Sequence, residues 1–145
     1  MLWGVFMLVK ELMQTKVYFV MADSPMQDVI SLMKNYNIGI VPVCDKTGAL
    51  MGVITDRDII IRYPLSGGFD RGGTPVARDI MSENIASVNS TAEIHDAAVI
   101  FSKKKVHRLP VLENGKLAGM LSISDLAGKR IFLAEVGEII GAISE

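Results

Sequence analysis

The sequence predicts an α/β (α+β) fold made of two β-α-β-β-α repeats followed by a C-terminal helix. Three observations support this prediction: a length of 145 residues, a hydrophobic fraction of 50%, and an internal match between two halves of the chain. A length near ~150 residues suits one domain or two small repeats with a shared core. The apolar fraction supplies enough side chains for such a core.

The internal match appears when the sequence is compared with itself after a shift of 68 residues, the separation of Met13 and Met81. The aligned pairs include Met13/Met81, Val20/Val88, Asp28/Asp96, Pro42/Pro110 and Val43/Val111. After one deletion in the second copy the separation becomes 67 residues and aligns Gly48/Gly115, Gly52/Gly119 and Asp58/Asp125. The chain is therefore predicted to be a tandem repeat of units of ~55 residues.

Each repeat contains the same predicted elements. Short strands are expected at residues 17–20 and 85–88. The helices that follow have apolar residues at i, i+3, i+4 and i+7: Met26, Val29, Ile30 and Met33, and then Ile94, Ala97, Ala98 and Phe101. Two strands around a glycine turn come next, at 38–43 and 50–54 and again at 106–112 and 117–121. A second helix is expected to begin after Thr55 and after Ser122, because both residue types are favourable N-caps.

The predicted organisation is a first repeat at 9–62, a Gly/Pro linker at 63–76, a second repeat at 77–129 and a C-terminal helix at 130–145. Glycine-rich backbone can hold a phosphate, but this linker lacks the Lys and Ser or Thr of a Walker loop, which favours a flexible connection. Residues 1–6 precede the repeats. They are expected to be an upstream extension or, alternatively, a cover for an apolar patch.

Composition argues against several classes of function. With 15 basic and 16 acidic residues, the net charge of -1 provides no field for non-specific nucleic-acid binding. Cys44 is the single cysteine, which excludes an internal disulfide or a cysteine-based zinc site and favours a reducing, cytoplasmic setting. No apolar run approaches the ~18–20 residues of a membrane span, and Met1–Val9 lacks the features of a signal peptide. Metal-ligand and nucleophile motifs are also absent, so no enzyme activity is expected and Cys44 is interpreted as an inert buried thiol.

The doubled pattern resembles a cystathionine-β-synthase (CBS) domain pair, or Bateman module. The first copy reads Ile38-Gly39-Ile40-Val41-Pro42-Val43 and then Gly52-Val53-Ile54-Thr55-Asp56-Arg57-Asp58. The second reads Val106-His107-Arg108-Leu109-Pro110-Val111 and then Gly119-Met120-Leu121-Ser122-Ile123-Ser124-Asp125. The resemblance extends over residues 9–129. It implies two repeats related by a pseudo-twofold axis, with regulatory adenosine-containing ligands bound in the clefts between them.

The shared motif Gly-x-x-Thr/Ser-x-x-Asp has a chemical reason to bind a nucleotide. A hydroxyl and first-turn amides at a helix start can meet a phosphate, and a carboxylate can accept two hydrogen bonds from a ribose diol. The glycine allows close backbone approach. Alternatively, the same spacing is an ordinary capping box. Two copies in the same β-α context favour binding.

The two copies differ in the cations they offer to a phosphate. The second has His107-Arg108 where the first has Gly39-Ile40. The string His-Arg-Leu-Pro-Val resembles the nucleotide-binding repeats of the AMP-activated protein kinase gamma subunit, in which the His-Arg pair faces ligand phosphate. The resemblance implies a principal cleft of Thr55, Arg57, Asp58, Ile85, Ala86, His107 and Arg108. It implies a second, weaker or empty cleft of Val17, Tyr18, Ile38, Gly39, Ser122 and Asp125.

The expected function is that of a regulatory sensor for AMP, ADP or ATP, acting without a resident cofactor or metal. A homodimer is expected because CBS pairs typically dimerise through helices, and apolar residues are frequent at 59–61 and 131–143. The sensor would act through ligand-dependent dimer contacts or contacts with an unidentified protein partner, and neither nucleic acid nor membrane is expected to be a partner. The alternatives are a receptor for cyclic di-AMP or S-adenosylmethionine, or a ligand-independent oligomerisation module.

Overall fold

The computed structural model describes residues 6–65 and 75–144. The predicted extension at residues 1–6, apart from Phe6, and most of the predicted linker lie outside the described residues. The elements in chain order are α1 (Val9–Leu12), β1 (Val20–Met21), α2 (Met26–Tyr36), β2 (Ile40–Cys44), β3 (Leu50–Thr55), α3 (Asp56–Leu65), α4 (Ala77–Ile80), β4 (Val88–Asn89), α5 (Ile94–Lys104), β5 (Arg108–Glu113), β6 (Lys116–Ser122), α6 (Ile123–Ala127), a 3₁₀ turn (Arg130–Phe132) and α7 (Leu133–Ser144).

The chain divides into two compact units. We call Tyr18–Ile85 the central unit, and Met1–Val17 together with Ala86–Glu145 the terminal unit. Each has a three-stranded sheet, in the order β1-β2-β3 and β4-β5-β6 respectively. In each sheet the first pair of strands is parallel and the second is antiparallel. The predicted α+β fold of two similar repeats with a C-terminal helix is therefore confirmed.

The helix that opens each sequence repeat packs in the unit formed by the other repeat. Val9 of α1 is buried in the core of the terminal unit, and Ala77 of α4 is buried in the core of the central unit. Just after each helix, one residue pairs with the last strand of the sheet. Gln14 and Met120 exchange backbone hydrogen bonds of 2.8 and 2.9 Å, and Ser82 and Val53 exchange bonds of 2.8 and 3.1 Å. Residues 9–17 therefore belong to the first sequence repeat but to the terminal unit. Residues 77–85 belong to the second sequence repeat but to the central unit.

The core of the central unit lies between its sheet and helix α2. Its most deeply buried side chains are Met26, Val29, Val41, Val43, Ile54, Ala77 and Ile80. The predicted apolar face of α2 is only partly covered, since Ile30 is 38% exposed. Strands β1 and β4 are also shorter than predicted, with two residues each, because only two residues of each strand pair with the neighbouring strand.

The terminal unit has a larger core, because it includes the C-terminal helix. Its fully buried side chains include Val9, Phe101, Leu109, Leu121, Leu126 and Ile139. Helix α7 packs against α5 and is amphipathic, with Val136 and Ile139 buried and Leu133 and Ile140 exposed. In the described part of the chain, no helix combines the length and apolar character of a membrane span.

Candidate functional site

The Thr55 turn of the central unit joins β3 directly to α3. The backbone N–H and the hydroxyl of Thr55 donate to Asp58 Oδ2 at 2.9 and 3.1 Å. In return the Asp58 N–H donates to Thr55 Oγ1 at 3.2 Å. This reciprocal pattern is a capping box, so the alternative interpretation of the motif describes its local geometry correctly.

The other oxygen of Asp58 is occupied by groups outside the motif. The Ser82 hydroxyl donates to Asp58 Oδ1 at 3.2 Å, and Arg62 Nε lies 3.7 Å from the same atom. Arg62 Nη1 also donates to the Met81 carbonyl at 3.0 Å. A carboxylate offers about four acceptor positions, and at Asp58 all of them face a donor within the central unit.

The Ser122 turn of the terminal unit has the same capping box with fewer additional donors. The Ser122 N–H donates to Asp125 Oδ2 at 2.8 Å, and the Asp125 N–H donates to Ser122 Oγ at 3.2 Å. Gln14 Nε2 donates to Asp125 Oδ1 at 3.1 Å. Among the described residues, Asp125 therefore accepts two side-chain or backbone bonds, and about half of its acceptor positions are open.

The motif glycines, expected to admit a close neighbour, lie against the chain's own backbone. A Cβ placed on Gly52 would lie 2.6 Å from the Ser82 carbonyl oxygen, and one on Gly119 would lie 2.7 Å from that of Gln14. The segment after α4 therefore makes the close approach at Gly52, and the segment after α1 makes it at Gly119. Glycine is required here by packing within each unit.

The backbone amides at the start of α3, which were expected to meet a phosphate, have hydrogen-bond partners within the chain. The Asp56 N–H donates to the Gly39 carbonyl at 3.0 Å, and the Arg57 N–H donates to Asp56 Oδ1 at 2.8 Å. In the terminal unit the Ile123 N–H donates to the His107 carbonyl at 3.0 Å. These N–H groups are used within the chain, which directs attention to the cationic side chains as partners for a phosphate.

Three cationic candidates are exposed: Arg57, His107 and Arg108. Arg108 lies opposite Ser122 in the β5-β6 pair. Because directly opposed residues of antiparallel strands share a face of the sheet, the Arg108 and Ser122 side chains lie on the same side. Among the described residues Arg108 makes no ion pair, which leaves its guanidinium available to an anion.

Each unit brings together part of each predicted cleft. The central unit contains Thr55, Arg57, Asp58 and Ile85 of the principal cleft and Tyr18, Ile38 and Gly39 of the second. The terminal unit contains Ala86, His107 and Arg108 of the principal cleft and Val17, Ser122 and Asp125 of the second. The Tyr18 ring is stacked on Tyr36, with centroids 3.8 Å apart. The combination of residues from both units stays a prediction.

Sequence reasoning missed the donors to the second carboxylate oxygen, namely Gln14, Arg62 and Ser82. Gln14 and Ser82 are equivalent positions, separated by the repeat shift of 68 residues. That equivalence is a signal that the sequence offered. The bonds from Gln14 and Ser82 join segments far apart in the chain, so no local pattern predicts them. Arg62 lies four residues after Asp58, and this i, i+4 spacing of opposite charges on one helix is a local signal for its ion pair.

Cys44 is buried, in agreement with its interpretation as an inert thiol. Burial, with a smaller contribution from the Asp45 charge, raises the pKa of the Cys44 thiol to about 11. The thiol therefore stays protonated near neutral pH and is a poor nucleophile. Within residues 6–65 and 75–144, no group of three His, Cys, Asp or Glu side chains is arranged to hold a metal ion.

Comparison with known proteins identifies the family. The CBS domain profile matches residues 9–64 and 77–131. The chain is 34% identical over 136 residues to the CBS domain-containing protein YhcV of Bacillus subtilis (strain 168), a match that covers 94% of each protein.

Two solved structures have the same fold. The crystal structure of CBSX2 in complex with AMP superposes with a TM-score of 0.74 at 24% identity, covering 88% of this chain and 98% of the other. The CBS domain pair of protein MJ0100, in complex with 5′-methylthioadenosine and S-adenosyl-L-methionine, has a TM-score of 0.70 at 20% identity, with coverages of 90% and 99%. With both repeats matched by the family profile, this chain belongs to the CBS domain family as a tandem CBS-domain protein.

Proposed function

We propose that this chain is a regulatory module that binds an adenosine-containing ligand, with AMP, ADP or ATP as the first choice. The main supporting observation is the repeated carboxylate, Asp58 or Asp125, held by a capping box at a strand-to-helix turn. A carboxylate fixed in position in this way is a suitable acceptor for the two hydroxyls of a ribose diol.

The phosphate end of the ligand would be bound by the exposed cations His107 and Arg108, with Arg57 as a further contributor. A guanidinium binds phosphate oxygens in a planar, bidentate manner, which makes Arg108 the strongest candidate. The grouping of these cations with Thr55 and Asp58 rests on the family resemblance. The start of α3 does not replace them, since its first amides are already bonded within the chain.

Ligand binding would be communicated through contacts with a second copy or a protein partner. Helix α3 exposes Ile60 and Ile61, at 74% and 47%, and α7 exposes Leu133 and Ile140. Exposed apolar side chains on helices are typical of protein contact surfaces. A homodimer formed through these helices, in a reducing cytoplasmic setting suited to the free Cys44, completes the proposal.

A second candidate is a receptor for S-adenosylmethionine, 5′-methylthioadenosine or cyclic di-AMP. The MJ0100 structure contains the first two ligands, and its fold is shared by this chain. Ligands without a phosphate would use the carboxylate and not Arg108. A ligand-independent oligomerisation module would use neither.

A thermal-shift screen separates these candidates. The full chain is heated with AMP, ADP, ATP, adenosine, cyclic di-AMP, S-adenosylmethionine and 5′-methylthioadenosine, with GMP as the matched control for AMP. A ligand at 100 times its dissociation constant stabilises the folded state by about 2.7 kcal/mol, which is readily measured. A shift with adenine nucleotides and not GMP supports the proposal, and no shift with any adenosine compound contradicts it.

A further inference from the structure

The two motif carboxylates differ in what a ligand would have to displace. Asp58 Oδ2 accepts two bonds from Thr55, and Asp58 Oδ1 faces Ser82 and Arg62. Asp125 accepts one bond from Ser122 and one from Gln14. A ribose diol donates two hydrogen bonds, so it can use open positions at Asp125 but must replace donors at Asp58.

The donors most easily replaced at Asp58 are those outside the capping box. Arg62 is half-exposed and its Nε is 3.7 Å away, so the ion pair is weak. The Ser82 hydroxyl is closer, at 3.2 Å, and bonds a charged acceptor. The Thr55 bonds are short-range contacts of the helix start and are lost only if α3 loses its cap.

Both displaceable donors are connected to the segment that follows α4. Ser82 is also the residue whose backbone pairs with Val53 of β3, and Arg62 also donates to the Met81 carbonyl. The Ser82 hydroxyl and the Arg62 guanidinium therefore connect residues 80–82 to Asp58 and to helix α3, next to the backbone pairing of Ser82 with β3. Loss of their bonds to Asp58 would weaken the attachment of that segment within the central unit.

We propose that Ser82 and Arg62 are positioning residues that compete with the ligand's ribose diol for Asp58 Oδ1, so that binding at Asp58 loosens residues 80–82. This inference rests on the proposed function and concerns the regulation of that same site. At Asp125 the ligand enters open acceptor positions, and the equivalent segment around Gln14 stays in place. Binding at the two sites thus has different structural consequences.

The test measures nucleoside binding by calorimetry in an Asp125→Ala background, which leaves Asp58 as the one motif carboxylate. Adenosine is compared with 2′,3′-dideoxyadenosine, which lacks the diol. Ser82→Ala removes a competitor for Oδ1, so adenosine should bind at least about threefold tighter, while dideoxyadenosine should bind unchanged. Ser82→Thr keeps the hydroxyl and should restore the parent affinity. Gln14→Ala is the matched control and should change neither ligand.

The outcomes separate the inference from the proposed function. If adenosine binds but Ser82→Ala fails to tighten it, or tightens dideoxyadenosine equally, the inference is wrong and the proposed function stands. If neither adenosine nor AMP binds the unmodified chain, the proposed function and the inference both fail.

Hydrogen exchange in the same Asp125→Ala background provides a second test, because bound adenosine can then use only Asp58. Adenosine should accelerate exchange of the Ser82 and Val53 amides, which bond each other's carbonyls, and leave the Gln14 and Met120 amides unchanged. Slower or unchanged exchange at Ser82 and Val53, in the presence of bound adenosine, would overturn the inference.

Discussion

The Thr55 and Ser122 turns have the same sequence motif and the same capping geometry, yet they are not equivalent acceptors. Asp58 is held by Ser82 and faces Arg62, whereas the corresponding donor to Asp125 is the neutral amide of Gln14. The motif determines the local turn. The number of open acceptor positions depends on Ser82 or Gln14 from the other sequence repeat and, at Asp58, also on Arg62 of α3. Two copies of one sequence motif can therefore differ in the number of acceptor positions that they leave open.

The cores of the two units also differ, because residues at equivalent positions of the two repeats are buried to different extents. Phe101 of α5 is fully buried in a core that includes Val136 and Ile139 of α7, and its repeat equivalent Met33 of α2 is only partly buried. Phe101→Ala should destabilise the protein by about 3–5 kcal/mol, and Met33→Ala by less than half of that. Denaturant unfolding measures both. Equal losses would show that α7 contributes nothing to this difference.

The motif glycines test the similarity of the two units. Gly52→Ala and Gly119→Ala should each cost about 1–3 kcal/mol, because the new Cβ meets a backbone carbonyl at under 3.0 Å. Gly137→Ala in α7 is the control. Its Cβ would meet nothing within 4 Å, so it should stabilise the helix by up to about 1 kcal/mol. A Gly52→Ala variant as stable as the parent would contradict the packing described for Ser82.

The ends of helices α2 and α5 form a third matched pair. Each ends at a residue in the left-handed region, Asn37 with φ 52° and Lys105 with φ 54°. Asn tolerates this conformation better than Lys. Lys105→Asn should stabilise the protein by about 0.5–1 kcal/mol, and Asn37→Lys should destabilise it by a similar amount. Thermal unfolding measures both variants. A lower melting temperature for Lys105→Asn than for Asn37→Lys would contradict this explanation.

The smallest expected effect concerns the turn between β2 and β3, where the contribution of Asp45 to stability depends on pH. The hydroxyl and N–H of Thr47 donate to Asp45, which lowers the pKa of that carboxyl in the folded state. Stability from these bonds is present above the ordinary Asp pKa of about 3.9 and is lost as pH falls through the lowered value. Unfolding from pH 5 to pH 2 should therefore show a smaller decline for Asp45→Asn than for the parent chain. Identical pH profiles would contradict the assignment.

Local pattern was sufficient for most of the fold. Apolar spacing predicted α2 and α5, and the apolar rhythm after Lys129 predicted the helix that the structure shows as a 3₁₀ turn and α7. The four-residue helices α1 and α4 are too short to have a recognisable period. Each of them packs in the unit formed by the other sequence repeat. This is a long-range property, which an alignment of the two repeats does not reveal.

The candidate site shows the same division between local and long-range information. Thr55 and Asp58 are three residues apart, so their capping box follows from the motif. Ser82 lies 24 residues from Asp58 and Gln14 lies 111 residues from Asp125. These distant donors, together with Arg62 at Asp58, decide how open each carboxylate is, and only the folded chain shows the distant ones.

The most direct test of the proposed function is calorimetry with AMP and adenosine on Asp58→Ala, Asp125→Ala and Arg108→Ala. A hydrogen bond to a charged group contributes about 1.5–3 kcal/mol, so Asp58→Ala and Arg108→Ala should each weaken AMP binding by roughly 10- to 150-fold. Asp58→Asn, which keeps an acceptor for the helix cap, separates lost binding from lost structure. Asp125→Ala should have a much smaller effect on AMP binding, because the predicted cleft of Asp125 lacks His107 and Arg108 and these cations outweigh the donors that must be displaced at Asp58. Arg108→Ala should leave adenosine binding almost unchanged. Equal losses for Asp58→Ala and Asp125→Ala, or full AMP affinity in Arg108→Ala, would contradict the assignment of the principal site.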